Sequence, residues 1–275
     1  MPNKLLQFIF FGGEPLSVPT LEMLYNNGFI PEVIICNPDK PADRNLELTP
    51  PPTKVWADEH SIPTLQPDKL DEAFMSELRA FSFKLGVVVA YGKIIPVNIV
   101  NLPELGLINI HPSLLPKYRG PSPIVSAILN GDTETGVSII KLDEEMDHGP
   151  ILAQESVTLT GNEMIEELEA TLASIGSKLL VNVLTQFKDG TAVEIEQDHS
   201  KATFVKKIEK SDGEINLADK AIVNWSKYRA YRGWPSTFFF KEGKRFKITD
   251  AVLENDNFII KKVIPEGGKE IDYKS

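Results

Sequence analysis

Short apolar runs alternating with helical patterns through the first 187 residues constrain this chain more than any other feature. The runs are LLQFIFF (5–11), EVIIC (32–36), LGVVVAY (85–91), GLINI (106–110) and GVSIIKL (136–142). Helical patterns occupy 15–27, 52–60, 69–80 and 122–130, the last with Pro123 placed for a first helical turn. Near-continuous apolar runs mark strands buried on both faces, and strands separated by helices form βαβ units. The expectation is an α/β fold, a Rossmann-like, mostly parallel sheet with helices on both faces. ILAQESVTL (151–159) alternates apolar and polar, as an antiparallel edge or hairpin strand does. A long amphipathic helix is expected from about Asn162 to Phe187, ended by Asp189-Gly190.

At 275 residues the chain exceeds one average domain, and its composition divides it. Residues 1–188 form the first expected domain. The polar, irregular stretch 189–203 reads as a linker. Residues 204–275 hold one helix pattern, LADKAIVNWSKYRAY, and the strand patterns STFFFK, KRFKITDAVL and NFIIKKVI, so a small β-rich domain is expected there. The opening LLQFIFF is too short for a membrane span and is read as a strand, so no membrane partner is expected. The one cysteine, Cys36, excludes an internal disulfide framework and points to a cytoplasmic chain. One loop is unusually long. NPDKPADRNLELTPPPT (37–53) has no periodicity, and such loops are functional or disordered. In it Lys40 and Arg44 are offset by Asp39, Asp43 and Glu47.

The net charge of -10 argues against a polyanionic partner, but its distribution argues for one. Residues 201–248 hold twelve Lys and Arg against five Asp and Glu, a local +7 that leaves -17 on the remainder. Such asymmetry points to a nucleic-acid contact on one domain.

Two stretches carry chemistry. In NIHPSLLPKYRG (109–120), Pro112 cannot donate a ladder hydrogen bond and stops the strand. Asn109 and His111 share parity, so an amide and an imidazole face one way at the carboxyl end of a strand, where open α/β sheets bind ligands. LDEEMDHGPIL (142–152) follows another buried strand and sets four carboxylates and His148 close together. Consecutive residues of one loop cannot easily cage an ion, and no HExxH motif or cysteine pair supports one, so no metal is expected. The better role for that loop is to supply a carboxylate that orients His111. Strand one ends in FFGGEP, without the G-x-G-x-x-G dinucleotide fingerprint.

NIHPSLLPKYRGPSPI resembles the signature of the formyltransferases that use 10-formyltetrahydrofolate, and VVVAYGKIIP (87–96) and MDHGPIL (146–152) resemble that family's other active-site segments. The opening FFGGEPLSVPTLEML, the NPDKPA loop and the tail IEKSDGEINL…YRAYRGWPSTFF are similar to the branch acting on initiator methionyl-tRNA. The resemblance implies a catalytic trio of Asn109, His111 and Asp147. It implies folate contacts from Ser113, Leu114, Leu115, Pro116, Val89, Tyr91 and Gly92. It implies tRNA contacts from Arg44 and Lys40 in the long loop and from Lys206, Lys207 and Lys210 in the tail. The donor is then 10-formyltetrahydrofolate, the partner initiator tRNA, and the chain a monomer with a catalytic domain and a shortened, OB-like C-terminal domain. The loop at 37–53 is less basic than the family's, and the tail is short. Both keep open a sibling acceptor, a nucleotide-linked amino sugar.

Overall fold

The computed structural model describes residues 6–13, 17–42 and 47–274. It opens with β1 (Phe8–Gly12), α1 (Ser17–Asn26), β2 (Val33–Ile35), β3 (Lys40–Ala42), β4 (Glu47–Thr49), α2 (Pro52–Glu59) and β5 (Thr64–Leu65). Next come α3 (Glu72–Leu78), β6 (Leu85–Val89), α4 (Val97–Val100), β7 (Leu107–His111), α5 (Pro123–Leu129), β8 (Glu134–Lys141) and β9 (Ile151–Thr158). The long α6 (Ile165–Asp189) precedes α7 (Ala221–Ala230), β10 (Phe238–Lys241), β11 (Lys244–Glu254), β12 (Asn257–Pro265) and β13 (Ile271–Asp272).

The expected parallel sheet is present, with strand order β5-β2-β1-β6-β7-β8-β9. Strands β5, β2, β1, β6 and β7 pair in parallel, and β8 joins β7 antiparallel. Every residue of β1 and β6 is buried, as runs without polar alternation require. From β1 the chain builds outward to β2 and β5, then crosses to β6 and β7. That reversal leaves a crevice at the strands' carboxyl ends. The β6–β7 register ends at Val88↔Asn109, whereas β7–β8 continues to His111↔Ser138. The last residues of β7 therefore project past the parallel ladder at the crevice.

Helix termini follow local chemistry. The Asp71 carboxylate accepts from the Ala73 and Phe74 N–H groups at the start of α3, and Pro52 and Pro123 open α2 and α5. Glu166 and Glu167 in the first turn of α6 and Lys188 in its last match the helix dipole. Among the described residues no helix is long and apolar enough to cross a membrane.

Two features depart from expectation. The stretch 37–53 is not structureless: β3 and β4 pair as an antiparallel hairpin, with Lys40 opposite Thr49. Its five prolines hid the pairing, because proline lacks the donor that strand patterns assume. The chain also packs as two units that interleave in sequence. The first comprises residues up to Arg119, Gly136–Glu155 and Ala170–Ala202; the second comprises Gly120–Thr135, Ser156–Glu169 and residues from Thr203 onward. The second unit thus includes α5 and the start of α6 as well as the tail.

In that unit β10 to β13 form a four-stranded antiparallel sheet. The β11–β12 turn is tight, with Asn255 and Asp256 at φ 49° and 58°, as a two-residue hairpin of primed type needs. Trp225 and Tyr228 of α7 pack into a core with Phe239, Ile248 and Val263.

Gly176 lets α6 approach the sheet, because a Cβ there would lie 2.7 Å from Ile110 Cγ2 and 3.2 Å from Val137 Cγ1. Gly176→Val is expected to destabilise the fold by about 1–3 kcal/mol through overpacking, measured by denaturant unfolding.

Candidate active site

The site grows out of β7. Asn109 and His111 alternate with Ile108 and Ile110, so strand period places them on one side. His111 is buried, with 4% of its surface exposed. Its Nε2 lies 3.0 Å from the Tyr118 carbonyl oxygen. A carbonyl only accepts, so Nε2 carries the hydrogen. Nδ1 lies 3.5 Å from Asp147 Oδ1, too long for a strong hydrogen bond but close enough for strong electrostatic coupling. Burial lowers the pKa of His111, opposed by the Asp147 charge and the Tyr118 carbonyl. Burial thus favours the neutral ring, which in this tautomer carries its lone pair on Nδ1, beside the Asp147 carboxylate. The Asn109 amide makes no hydrogen bond among the described residues and is only partly buried.

Asp147 sits on the loop between β8 and β9 with φ 51°, a conformation that Asp tolerates better than most residues. The loop folds tightly onto β8: a Cβ on Gly149 would collide with the Lys141 carbonyl oxygen. Of its other carboxylates, Asp143 is taken by His148, with Nδ1 and Oδ2 2.6 Å apart, and Glu144 and Glu145 face solvent. Gln197 Nε2 donates to the Asp147 carbonyl at 2.9 Å and the Gly149 carbonyl at 2.7 Å. Arg119 donates to Gln197 Oε1 and, at 2.8 Å, to His199 Nδ1. His199 stacks on His148 with ring centroids 4.1 Å apart.

Sequence reading missed Gln197, Arg119 and His199. Gln197 and His199 fall in 189–203, read as a linker, yet Ile195 bridges Ile151 and Gln197 is buried. No periodicity marks such a stretch, so nothing in the sequence flagged it.

Around the trio, Val89 and Tyr91 are buried, and the Tyr91 ring meets Phe11 edge-on at 5.4 Å. The Tyr91 carbonyl accepts from Asn37, and Gly92 is exposed at φ 76°. Ser113 Oγ donates to the Lys117 carbonyl, Leu115 N donates to Ser138 Oγ, and Gln154 donates to the Leu115 carbonyl. Ser113 and Leu115 thus build the loop itself, while Leu114 and Pro116 are half-buried beside them. Lys40 is exposed on β3, and Arg44 lies outside the described residues. Lys206, Lys207 and Lys210 are exposed in the second unit, where Lys206 pairs with Asp212 at 3.3 Å. Among the described residues no group of three or more His, Cys, Asp or Glu could hold a metal ion.

A mostly parallel sheet with an imidazole, a carboxylate and an amide at the carboxyl ends of its strands has the build of an α/β enzyme that binds its ligand in the crevice there. Residues 7–184 match the family model for formyl transferase, and residues 207–274 match that for the formyl transferase C-terminal domain. The chain belongs to the formyl transferase family. It is 43% identical over 249 residues to the methionyl-tRNA formyltransferase of Chloroflexus aggregans, covering 90% of this chain and 81% of that one. The fold is similar to the N-formyltransferase of Helicobacter canadensis, solved with folinic acid and dTDP-3-aminofucose (TM-score 0.71, 18% identity, 98% of this chain and 100% of that one). It is likewise similar to the methionyl-tRNA formyltransferase of Clostridium thermocellum (TM-score 0.66, 17% identity, 98% and 100%).

The buried ring makes stability depend on pH. His111 titrates below its ordinary value of 6.5 in the folded chain, so the unfolded chain binds the proton first. Its contribution to stability is present above pH 6.5 and falls as pH drops toward the lowered folded value. His111→Gln is expected to flatten the decline in melting temperature over that window, measured by thermal unfolding across a pH series.

Proposed function

We propose that this chain transfers the formyl group of 10-formyltetrahydrofolate to the α-amine of initiator methionyl-tRNA. The observation that carries the acceptor is the 43% identity to a methionyl-tRNA formyltransferase across 90% of the chain. Fold likeness does not choose between acceptors, since the sugar and tRNA enzymes of similar fold stand at 18% and 17% identity.

Attack by an amine on a formyl carbon builds negative charge on the formyl oxygen and positive charge on the amine nitrogen. Asn109, whose amide hydrogens are not engaged elsewhere among the described residues, donates to that oxygen. His111 takes the amine proton on Nδ1, the ring nitrogen left bare by the Nε2–Tyr118 contact. The Asp147 charge beside Nδ1 stabilises the imidazolium that forms and holds it until the proton passes to the leaving nitrogen. Leu114, Pro116 and Gly92 offer the reachable surface for the flat donor, backed by buried Val89, Tyr91, Ser113 and Leu115. No metal takes part in this scheme, and activity should survive exhaustive chelation.

The basic residues bind the tRNA backbone. Lys40 acts from β3, Lys206, Lys207 and Lys210 act from the second unit, and Arg44, outside the described residues, is included with them on the family resemblance. On β10 and β11 the exposed Lys241, Lys244 and Lys247 add charge, and Arg245 lies over the Phe238 ring at 3.9 Å.

Purified protein given 10-formyltetrahydrofolate should formylate charged initiator tRNA; formylation of a nucleotide-linked amino sugar in its place would overturn the acceptor. Asn109→Ala should lower kcat by roughly 100- to 1000-fold with the donor's KM little changed. Reversing Lys206, Lys207 and Lys210 to Glu should weaken tRNA binding and reduce its salt slope, leaving donor affinity intact. An unchanged slope would remove those three lysines from the interface.

A further inference from the structure

We infer that Gln197 is a positioning residue, clamping the backbone of Asp147 and Gly149 so that the Asp147 carboxylate stays against His111. The inference rests on the reading of His111 and Asp147 as a working pair. It goes further by assigning a role to a segment that contributes neither strand nor helix to the sheet.

Donor chemistry decides which end of the amide faces which partner. Arg119 only donates, and its Nε and Nη2 lie 3.2 Å and 2.7 Å from Gln197 Oε1. The Gln197 nitrogen is thereby turned toward two carbonyls, those of Asp147 and Gly149, and both of its hydrogens are spent on them. Gln197 and Arg119 are 5% and 3% exposed, so these bonds compete little with water. The loop they hold needs holding. Asp147 has a left-handed backbone, and Gly149 presses against the Lys141 carbonyl where no side chain fits. A backbone of that kind keeps its path only where its surroundings fix it. Were the loop to drift, the buried His111 ring would lose the carboxylate that favours its charged form. A second tie reaches the same loop through side chains, since Arg119 also holds His199, and His199 stacks on His148.

The charged and titratable groups of this neighbourhood are Asp147 beside His111, Arg119, His199, and Asp143 paired with His148. Gln197→Glu substitutes none of them but adds a carboxylate. That charge by itself would move the His111 titration to higher pH, so a move to lower pH can come only from displacement of Asp147. The variant keeps an oxygen acceptor for Arg119, but it sets a carboxylate oxygen against the two carbonyls in place of N–H donors. Gln197→Ala would deprive buried Arg119 of that acceptor and risks the fold, so the isosteric variant carries the test.

Gln197→Glu is expected to lower kcat for formyl transfer by roughly 10- to 100-fold with KM for both substrates little changed. The histidine NMR titration of His111 should move to lower pH in the same variant, because the neighbouring carboxylate charge is displaced. Adding Gln197→Glu to Asp147→Asn should cost little more than Asp147→Asn alone, since both act through one carboxylate. An unmoved His111 titration, or losses that simply add, would overturn the inference and leave Gln197 a packing residue. The titration needs no substrate. A chain that fails to formylate tRNA but shows the shift would refute the proposed reaction and leave the clamp standing.

Discussion

The contact between His111 Nε2 and the Tyr118 carbonyl governs the chemistry available to this site. It fixes the tautomer, and by fixing it exposes Nδ1, without a hydrogen, to Asp147. Two opposing effects then set the state of the ring. Burial disfavours the imidazolium, and two oxygens favour it, with burial the larger influence. In the proposed reaction a ring balanced in that way serves as a base, because its charged form is stabilised by the carboxylate beside it. An exposed histidine would have the proton affinity without the dry surroundings. A buried one lacking Asp147 would hold far less well the proton it took.

That contact depends in turn on where β7 ends. Pairing with β8 carries the strand to His111, two residues past the β6 register, and Pro112 then turns the chain back so that Tyr118 can reach the ring. The strand, its end and the shared face of Asn109 and His111 are legible in GLINIHP alone, because strand period and proline chemistry are local. The parallel sheet is legible for the same reason. What is not legible is tertiary. The pairing of Asp143 with His148, rather than with a metal or with His111, follows from a loop path that no spacing encodes. Gln197 lies fifty residues along the chain from the carbonyl of Asp147 that it holds, in a stretch with neither period nor motif. The β3–β4 hairpin is obscured by its own prolines, one of which, Pro41, sits within the ladder.

The charge asymmetry needs a similar correction from the folded chain. The count of +7 over 201–248 treats every cation as available. Arg229 is not: it is 3% exposed, donates to the Glu163 carbonyl and lies beside the Trp225 ring. Lys227 donates to the Glu214 carbonyl, and Lys201 pairs with Asp198 at 2.8 Å. The surface pairs are weak and would yield to a phosphate, whereas the buried guanidinium would not. The exposed cations of this segment are therefore the larger part of the twelve, among them Lys206, Lys207, Lys210, Lys220, Arg232 and those of the β10–β11 hairpin. With -17 elsewhere, the net charge of the chain opposes the attraction that these cations exert on a polyanion.

Asn109 completes the logic from the opposite direction. Buried polar groups in folded proteins almost always find partners, and an amide left without one costs stability. Asn109 is partly buried on a central strand, flanked in register by Val88 and Ile140, where an apolar side chain would pack at no such cost. Asn109 thus keeps, at the strand end where the crevice opens, donors that no described residue accepts. The same reasoning separates Asn109 from Ser113, equally polar and two residues beyond the histidine. Ser113 spends its hydroxyl on the Lys117 carbonyl and so stabilises the loop. Of these two polar side chains at the strand end, Asn109 is the one whose donors no described residue takes, which is why the proposed reaction assigns it the formyl oxygen.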